Sequence, residues 1–112
     1  MVKKSNKINQ IVNKLKTSLQ ARGISVDKLI LFGSYAQGKQ KPYSDIDIAV
    51  VSSSFNGKNL LKRQEILGEA IFPLKEPIEA LGYTPKEIRR PNALSFLSEI
   101  ISTGRIVYKK AS

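Results

Sequence analysis

The sequence predicts a small α/β domain: a mixed β-sheet with helices packed on one face. Three observations predict it. Short apolar, β-branched runs alternate with segments whose apolar residues recur at helical spacing. The chain has 112 residues, room for one domain over 1–112. Its hydrophobic fraction, 41%, is enough for a core and argues against wholesale disorder.

The elements follow in chain order. Ser5 to Arg22 reads as a helix, with Ile8, Ile11, Val12, Leu15 and Leu19 on one stripe, Ser5 at the N-cap and Gly23 just past the end. Lys28 to Phe32, KLILF, reads as a buried strand that stops at Gly33. Ser34 to Gly38 is expected to form a brief helical turn, and the polar stretch to Ser44 a loop carrying Lys39, Lys41 and Pro42. Asp45 to Val51 is the second strand. After a Ser/Asn/Gly loop, Lys58 to Phe72 reads as a helix with Leu60, Leu67, Ala70 and Ile71 inward, stopped by Pro73.

Pro77 to Tyr83 is a weaker third strand, with proline tolerated at its first position. Thr84-Pro85-Lys86-Glu87 is a capping box that opens a short helix. Asn92 is the expected cap of the last helix, which carries Leu94, Leu97, Ile100 and Ile101 and ends at Gly104. Arg105 to Lys109 closes the order as a short strand.

Composition removes whole classes of chemistry. There is no cysteine and no histidine. Disulfides, thiolate sites, histidine-dependent triads and histidine-liganded metals are therefore excluded. A metal site would use oxygen ligands, which suit Mg²⁺ or Mn²⁺. No stretch approaches the ~20 apolar residues of a membrane span, so a cytoplasmic, membrane-free protein is expected. The net charge is +10, and Lys3, Lys4, Lys7, Lys14, Lys16 and Arg22 precede any acid. Such a surface attracts phosphates, nucleic acid or an acidic partner, or is simply solvated.

The chemistry concentrates in GSYAQGKQKPYSDIDIAV, Gly33 to Val50. Residues two apart share a strand face, so Asp45 and Asp47 lie on one side with Cα atoms roughly 7 Å apart. Ile46, Ile48 and Val50 take the other. Two same-face carboxylates can bracket one or two divalent cations, and a cation pair ~3.5–4 Å apart can hold both oxygens of a phosphoryl displacement. The Gly33-Ser34 turn supplies backbone N–H groups and a hydroxyl for phosphate oxygens, with Lys39 and Lys41 on the following loop as candidate neutralising charges. Tyr35, Tyr43 and Tyr83 lie near the motif in sequence and are expected mainly to pack.

This pattern, GSYAQG-x5-SDIDIAV, resembles the signature of the DNA polymerase β-type nucleotidyltransferase superfamily. It is closest to the minimal nucleotidyltransferases (MNT) of HEPN–MNT toxin–antitoxin pairs. The motif covers about a sixth of the chain, and the tail GYTPKEI…FLSEIISTGRIVY is similar to the C-terminal part of several such proteins. The resemblance implies a polymerase β-like fold, Gly33 and Ser34 as the triphosphate-binding pair, and Asp45 and Asp47 as metal-binding carboxylates. It also calls for a third carboxylate on a neighbouring strand. Glu76 and Glu79 are the candidates, and Glu79 is preferred because it lies within PIEALGY, after the proline. Two departures stand out: glutamate at the third position, where aspartate is common, and Gln37 where many relatives carry Arg or Lys.

The implied reaction moves AMP from ATP, with Mg²⁺ or Mn²⁺, to a hydroxyl. In the family this is a tyrosine of a partner HEPN ribonuclease toxin, and the chain acts as its antitoxin. With little sequence left for an acceptor domain, the acceptor is expected from a partner or a second subunit, so homo- or hetero-oligomers stay open. Two other readings also stay open: an antitoxin that neutralises its partner by contact alone, and a basic nucleic-acid-binding domain.

Overall fold

The computed structural model describes residues 3–92 and 95–111. Its elements run α1 (Lys3–Ala21), β1 (Lys28–Phe32), α2 (Ser34–Gln37), β2 (Ile46–Val51), α3 (Leu60–Ile71), β3 (Ile78–Tyr83), α4 (Pro85–Arg89), α5 (Phe96–Thr103) and β4 (Arg105–Lys109). Short 3-10 turns at Ser53–Phe55 and Phe72–Leu74 flank α3. The order is the one the sequence predicts. The differences lie at the ends. Helix α1 already runs at Lys3, so Ser5 is inside it and does not cap it. The cap of α5 is Ser95, whose hydroxyl accepts from the Ser98 N–H at 3.1 Å, and the Asn92 carbonyl accepts the Ser95 N–H instead. Leu94 lies outside the described residues.

The sheet order is β3-β2-β1-β4. β1 pairs antiparallel with both β2 and β4, and β2 pairs parallel with β3. A parallel neighbour requires a crossover, and α3 provides it. The two central strands read as near-continuous apolar runs because both of their faces are covered. On one face, Ile8, Ile11, Val12, Leu15 and Leu19 of α1 and Leu67 and Ala70 of α3 pack on Leu29, Leu31, Ile46, Ile48, Val50 and Ala80. The long helices thus keep to the face expected of them. Leu60 departs from its expected inward place and is 70% exposed, because it sits at the first turn of α3, beyond the sheet contact.

The second face is not bare. Ile30, Phe32, Ala49 and Val51 gather under Ile100 of α5, with Leu81, Tyr83 and Ile88 at the margin. Helix α1 ends in a Schellman turn: Ile24 N–H donates to the Leu19 carbonyl and Gly23 N–H to the Gln20 carbonyl, each at 3.0 Å, with Gly23 at φ 80°.

One polar network ties α3, β3 and α4 together. Arg63 is buried, and its guanidinium forks onto Glu87 at 2.9 and 3.2 Å while also donating to the Gly82 carbonyl. Glu87 closes the predicted capping box by accepting from the Thr84 N–H at 2.9 Å. Burial alone would raise the Glu87 carboxyl, but the bonds from Arg63 and Thr84 outweigh it and hold it below the usual range. A carboxyl lowered in the fold stabilises it above the unfolded pKa, about 4.3, and loses that contribution as pH falls through the folded value. Glu87→Gln is therefore expected to cost about 1–2 kcal/mol at pH 7, discounted for the exposed carboxylate, because Arg63 loses its counter-charge. Urea unfolding at pH 7 and in acid checks this: the gap between variant and wild type must shrink in acid.

Candidate active site

The site is built where β1 ends and β2 begins. In the antiparallel register Phe32 faces Asp47, and in the parallel register Asp47 faces Glu79. Three adjacent strands therefore deliver Gly33, Asp47 and Glu79 to one point. Glu76 goes elsewhere: it pairs with Lys14 at 3.0 Å. Asp45 is exposed in the loop just before β2, one residue short of the strand the sequence predicts.

Gly33 turns the chain with φ 72° and ψ −152°, a region that favours glycine. A Cβ there would collide with the Asp47 carboxylate, its Cγ lying only 3.1 Å away. Glycine is thus required twice, by backbone conformation and by the close approach of Asp47. Its carbonyl accepts the N–H groups of Ala36 and Gln37 at 3.1 and 3.2 Å, closing the single turn of α2. The first turn has no carbonyl of its own for the N–H groups of Ser34 and Tyr35.

Asp47 is half-buried, and its carboxyl is raised above the usual range. Burial is the main cause, followed by the negative charges of Glu79 and Asp45 and a hydrogen bond shared with Glu79. The three carboxylates are thus electrostatic neighbours. Among the described residues, however, no group of three stands ready at chelating distances. Asp47 and Glu79 are the assembled part, and Asp45 is an exposed arm on the loop. The donor set is oxygen only, which fits a hard divalent cation such as Mg²⁺ or Mn²⁺.

These residues open onto a cleft of about 420 Å³, in the range of small-molecule sites. Phe32, Gly33, Asp47 and Glu79 line one side, and Phe96, Glu99, Ile100 and Thr103 of α5 the other. Gln37 and Gln64 also reach it. The loop lysines do not. Lys39 is exposed, and Lys41 lines a separate cavity with Lys7, Ile8, Ile11, Tyr35 and Pro42. Tyr35 and Tyr83 pack against the two cores, and Tyr43 is exposed.

Sequence reasoning missed the α5 wall. Phe96, Glu99, Ile100 and Thr103 fall at i, i+3, i+4 and i+7, one helical face. That spacing was visible in the sequence. The apolar stripe through Leu97, Ile100 and Ile101 overlaps that face only at Ile100.

Residues 9–107 match the nucleotidyltransferase domain family, and the chain belongs to that family. Its enzymatic class is nucleotidyltransferase. It is 27% identical over 114 residues to MJ1305 of Methanocaldococcus jannaschii, in its name a protein adenylyltransferase, spanning 95% of this chain and 72% of that protein. A second such protein of that organism, MJ0604, matches at 48% over 44 residues, 39% of this chain and 41% of its own length. Among solved structures, a Sulfolobus solfataricus protein described as a nucleotidyltransferase superposes with TM-score 0.63 at 18% identity, covering 92% of this chain and 78% of its own. A toxin–antitoxin structure with AMP-PNP gives 0.58 at 23%, covering 88% and 73%. A mutant of the toxin–antitoxin MntA–HpeT gives 0.55 at 20%, covering 91% and 73%. The fold is the polymerase β-like nucleotidyltransferase fold.

Two predictions follow from the geometry at Gly33 and Asp47. Gly33→Ala should destabilise by about 2 kcal/mol, more than Gly57→Ala, which shares a positive φ but has open space around it. Equal losses in thermal melts would mean that the Asp47 contact contributes nothing. Asp47 carries the opposite pH sign to Glu87. A carboxyl raised in the fold favours the fold below its unfolded pKa, and that contribution is lost as pH rises through the folded value. In EDTA, Asp47→Asn should melt higher than wild type at pH 7, and this advantage should disappear in acid.

Proposed function

We propose that this chain is a metal-dependent protein adenylyltransferase that moves AMP from ATP to a tyrosine hydroxyl of a partner HEPN-type toxin, and so serves as the antitoxin. The observation that carries the reading is the convergence of Asp47 and Glu79 beside Gly33 at the strand ends. The names of the Methanocaldococcus relatives and the toxin–antitoxin setting of the structural neighbours support the acceptor class and the partner. The neighbour bound to AMP-PNP supports an adenine nucleotide.

Asp45, Asp47 and Glu79 are the residues assigned to hold Mg²⁺ or Mn²⁺. Bound there, the metal would neutralise phosphate charge and lower the pKa of the acceptor hydroxyl. Gly33 lets phosphate oxygens approach the backbone, and the Ser34 hydroxyl and first-turn N–H groups donate to them. Lys39 and Lys41 are more distant from this point and are assigned only an outer, charge-neutralising role. The acceptor oxygen bonds to the α-phosphorus, the bond from that phosphorus to the bridging oxygen breaks, and pyrophosphate leaves with its electron pair. The hydroxyl proton passes to a carboxylate or to water.

Part of the basic N-terminal surface already has partners within the chain. Lys14 pairs with Glu76, Lys16 stands 4.8 Å over the Tyr108 ring, and Arg22 bonds Ser18. This weakens a reading of α1 as a nucleic-acid surface. No helix among the described residues is long and apolar enough to cross a membrane.

Labelled ATP, Mg²⁺, this protein and the product of the adjacent gene form the direct test. Label should appear on the partner, and Asp45→Asn, Asp47→Asn or Glu79→Gln should each lower the transfer by at least about a hundredfold. If the triple variant still protects cells from the partner, and the wild type transfers no label, the protein neutralises by contact and the enzymatic reading fails.

A further inference from the structure

The carboxylates and Gly33 occupy one side of the cleft. The opposite side, α5, carries none of the residues assigned above to metal or phosphate. It presents Phe96, Glu99, Ile100 and Thr103 on a single face to the cleft. Phe96 is 54% exposed, an unusual position for a large aromatic side chain, yet its ring is not loose. It stands edge-on to Phe32, with centroids 5.8 Å apart and planes at 80°. Phe32 is the residue immediately before Gly33 and the register partner of Asp47. The ring is therefore seated beside the residue that precedes Gly33, with much of its surface open. Glu99 is exposed one helical turn on, and no described residue pairs with its carboxylate. Thr103 donates its hydroxyl to the Glu99 carbonyl at 2.8 Å, a contact that leaves the Glu99 side chain free.

We infer that α5 is the nucleoside wall of the cleft: Phe96 stacks on the base, and the Glu99 carboxylate accepts a hydrogen bond from an amine on the base edge. This rests on the nucleotidyltransferase reading of the Gly33–Asp47–Glu79 side, and adds what that side does not supply. A triphosphate lying along Gly33 places its α-phosphorus near Asp47 and leaves the nucleoside to extend toward α5. A flat heterocycle then meets the open face of Phe96, backed by the buried Ile100. The wall is already in place in the free protein, whereas a protein acceptor brings its own surface and need insert only a hydroxyl. A carboxylate at the rim selects edges that donate. Adenine and cytosine carry an exocyclic amine at the same edge position that can meet Glu99, whereas guanine carries a carbonyl there and its amine at C2. Uracil, with a carbonyl in the corresponding place, repels it.

Calorimetric titration of the free protein with Mg–ATP, Mg–UTP and Mg–tripolyphosphate tests the inference without any partner. Wild type should bind ATP more tightly than UTP. Phe96→Ala should weaken Mg–ATP about tenfold and leave Mg–tripolyphosphate unchanged, since only the base is stacked. Phe96→Leu keeps an apolar cover on Phe32 without an aromatic face, and should lose ATP affinity while holding its melting temperature. Phe96→Trp should retain the affinity. Glu99→Gln should bring UTP toward ATP. If tripolyphosphate binds and the Phe96 variants hold ATP as wild type does, the nucleoside wall is wrong and the phosphate side stands. If wild type binds neither ATP nor tripolyphosphate, both readings fall.

Discussion

The structure depends on the pairing of β2 with two different neighbours at once. Its antiparallel bond to β1 sets Asp47 against Phe32, and its parallel bond to β3 sets Asp47 against Glu79. Neither pairing alone builds a site. Together they bring a glycine turn and two carboxylates from three strands to one end of the sheet. A register slip of a single residue would turn Asp47 into the core of α1 and α3 and send Ile46 and Ile48 to the cleft, so the apolar face enforces the placement of the polar one. Burial of Ile46, Ile48 and Val50, each nearly or fully inaccessible, thus positions the carboxylates.

That arrangement works against local stability. Burial and two like charges all raise the Asp47 carboxyl. The fold tolerates this because the strain is confined to the strand ends, where Asp45 stays in solvent and Asp47 is only half-buried. A perturbed carboxyl in a cleft, with physical causes such as those at Asp47, is common at functional sites. Ordinary structural ion pairs are the usual alternative, but no cation among the described residues pairs with Asp47, Glu79 or Asp45. The contrast with Glu87 is instructive. Its carboxyl is lowered because the chain supplies Arg63, whereas Asp47 faces only further acids.

Local signals were legible in the sequence. The strand KLILF matched its observed limits, and the Thr84–Glu87 capping box formed as spaced. The Schellman glycine at Gly23 also followed from local rules. What depended on distance was less so. Glu79 and Glu76 are three residues apart, and proline gave only a preference between them. The β2–β3 register and the Lys14 pair place them apart, and both are non-local contacts. The loop lysines lie apart from the cleft for a related reason. Lys41 follows Gly38, whose left-handed turn carries the chain toward α1, so nearness to Ser34 in sequence does not place it at the cleft. The face of α5 was readable as a spacing, but only the packing of Ile100 on Ile30 and Phe32 shows which side the cleft takes.

The strand that carries Glu79 is also held at its far end, by a second polar network. Arg63 of α3 reaches Gly82 of β3 and Glu87 of α4, so the end of β3 and the start of α4 are held to the crossover helix. The Thr84 cap fixes the direction in which the chain leaves the sheet. α4 then carries the chain across to the second face, where Ile88 and Ile100 join the same cluster as Phe32. The β3 strand that delivers Glu79 is therefore also the strand whose exit is fixed by the Thr84 cap and Arg63. Bonds that satisfy one buried guanidinium thus hold the exit of the strand that carries Glu79. A buried ion pair is weak evidence for stability by itself. Here its geometric consequence is larger, because the strand that it ties to α3 and α4 is the one that carries Glu79 to the site.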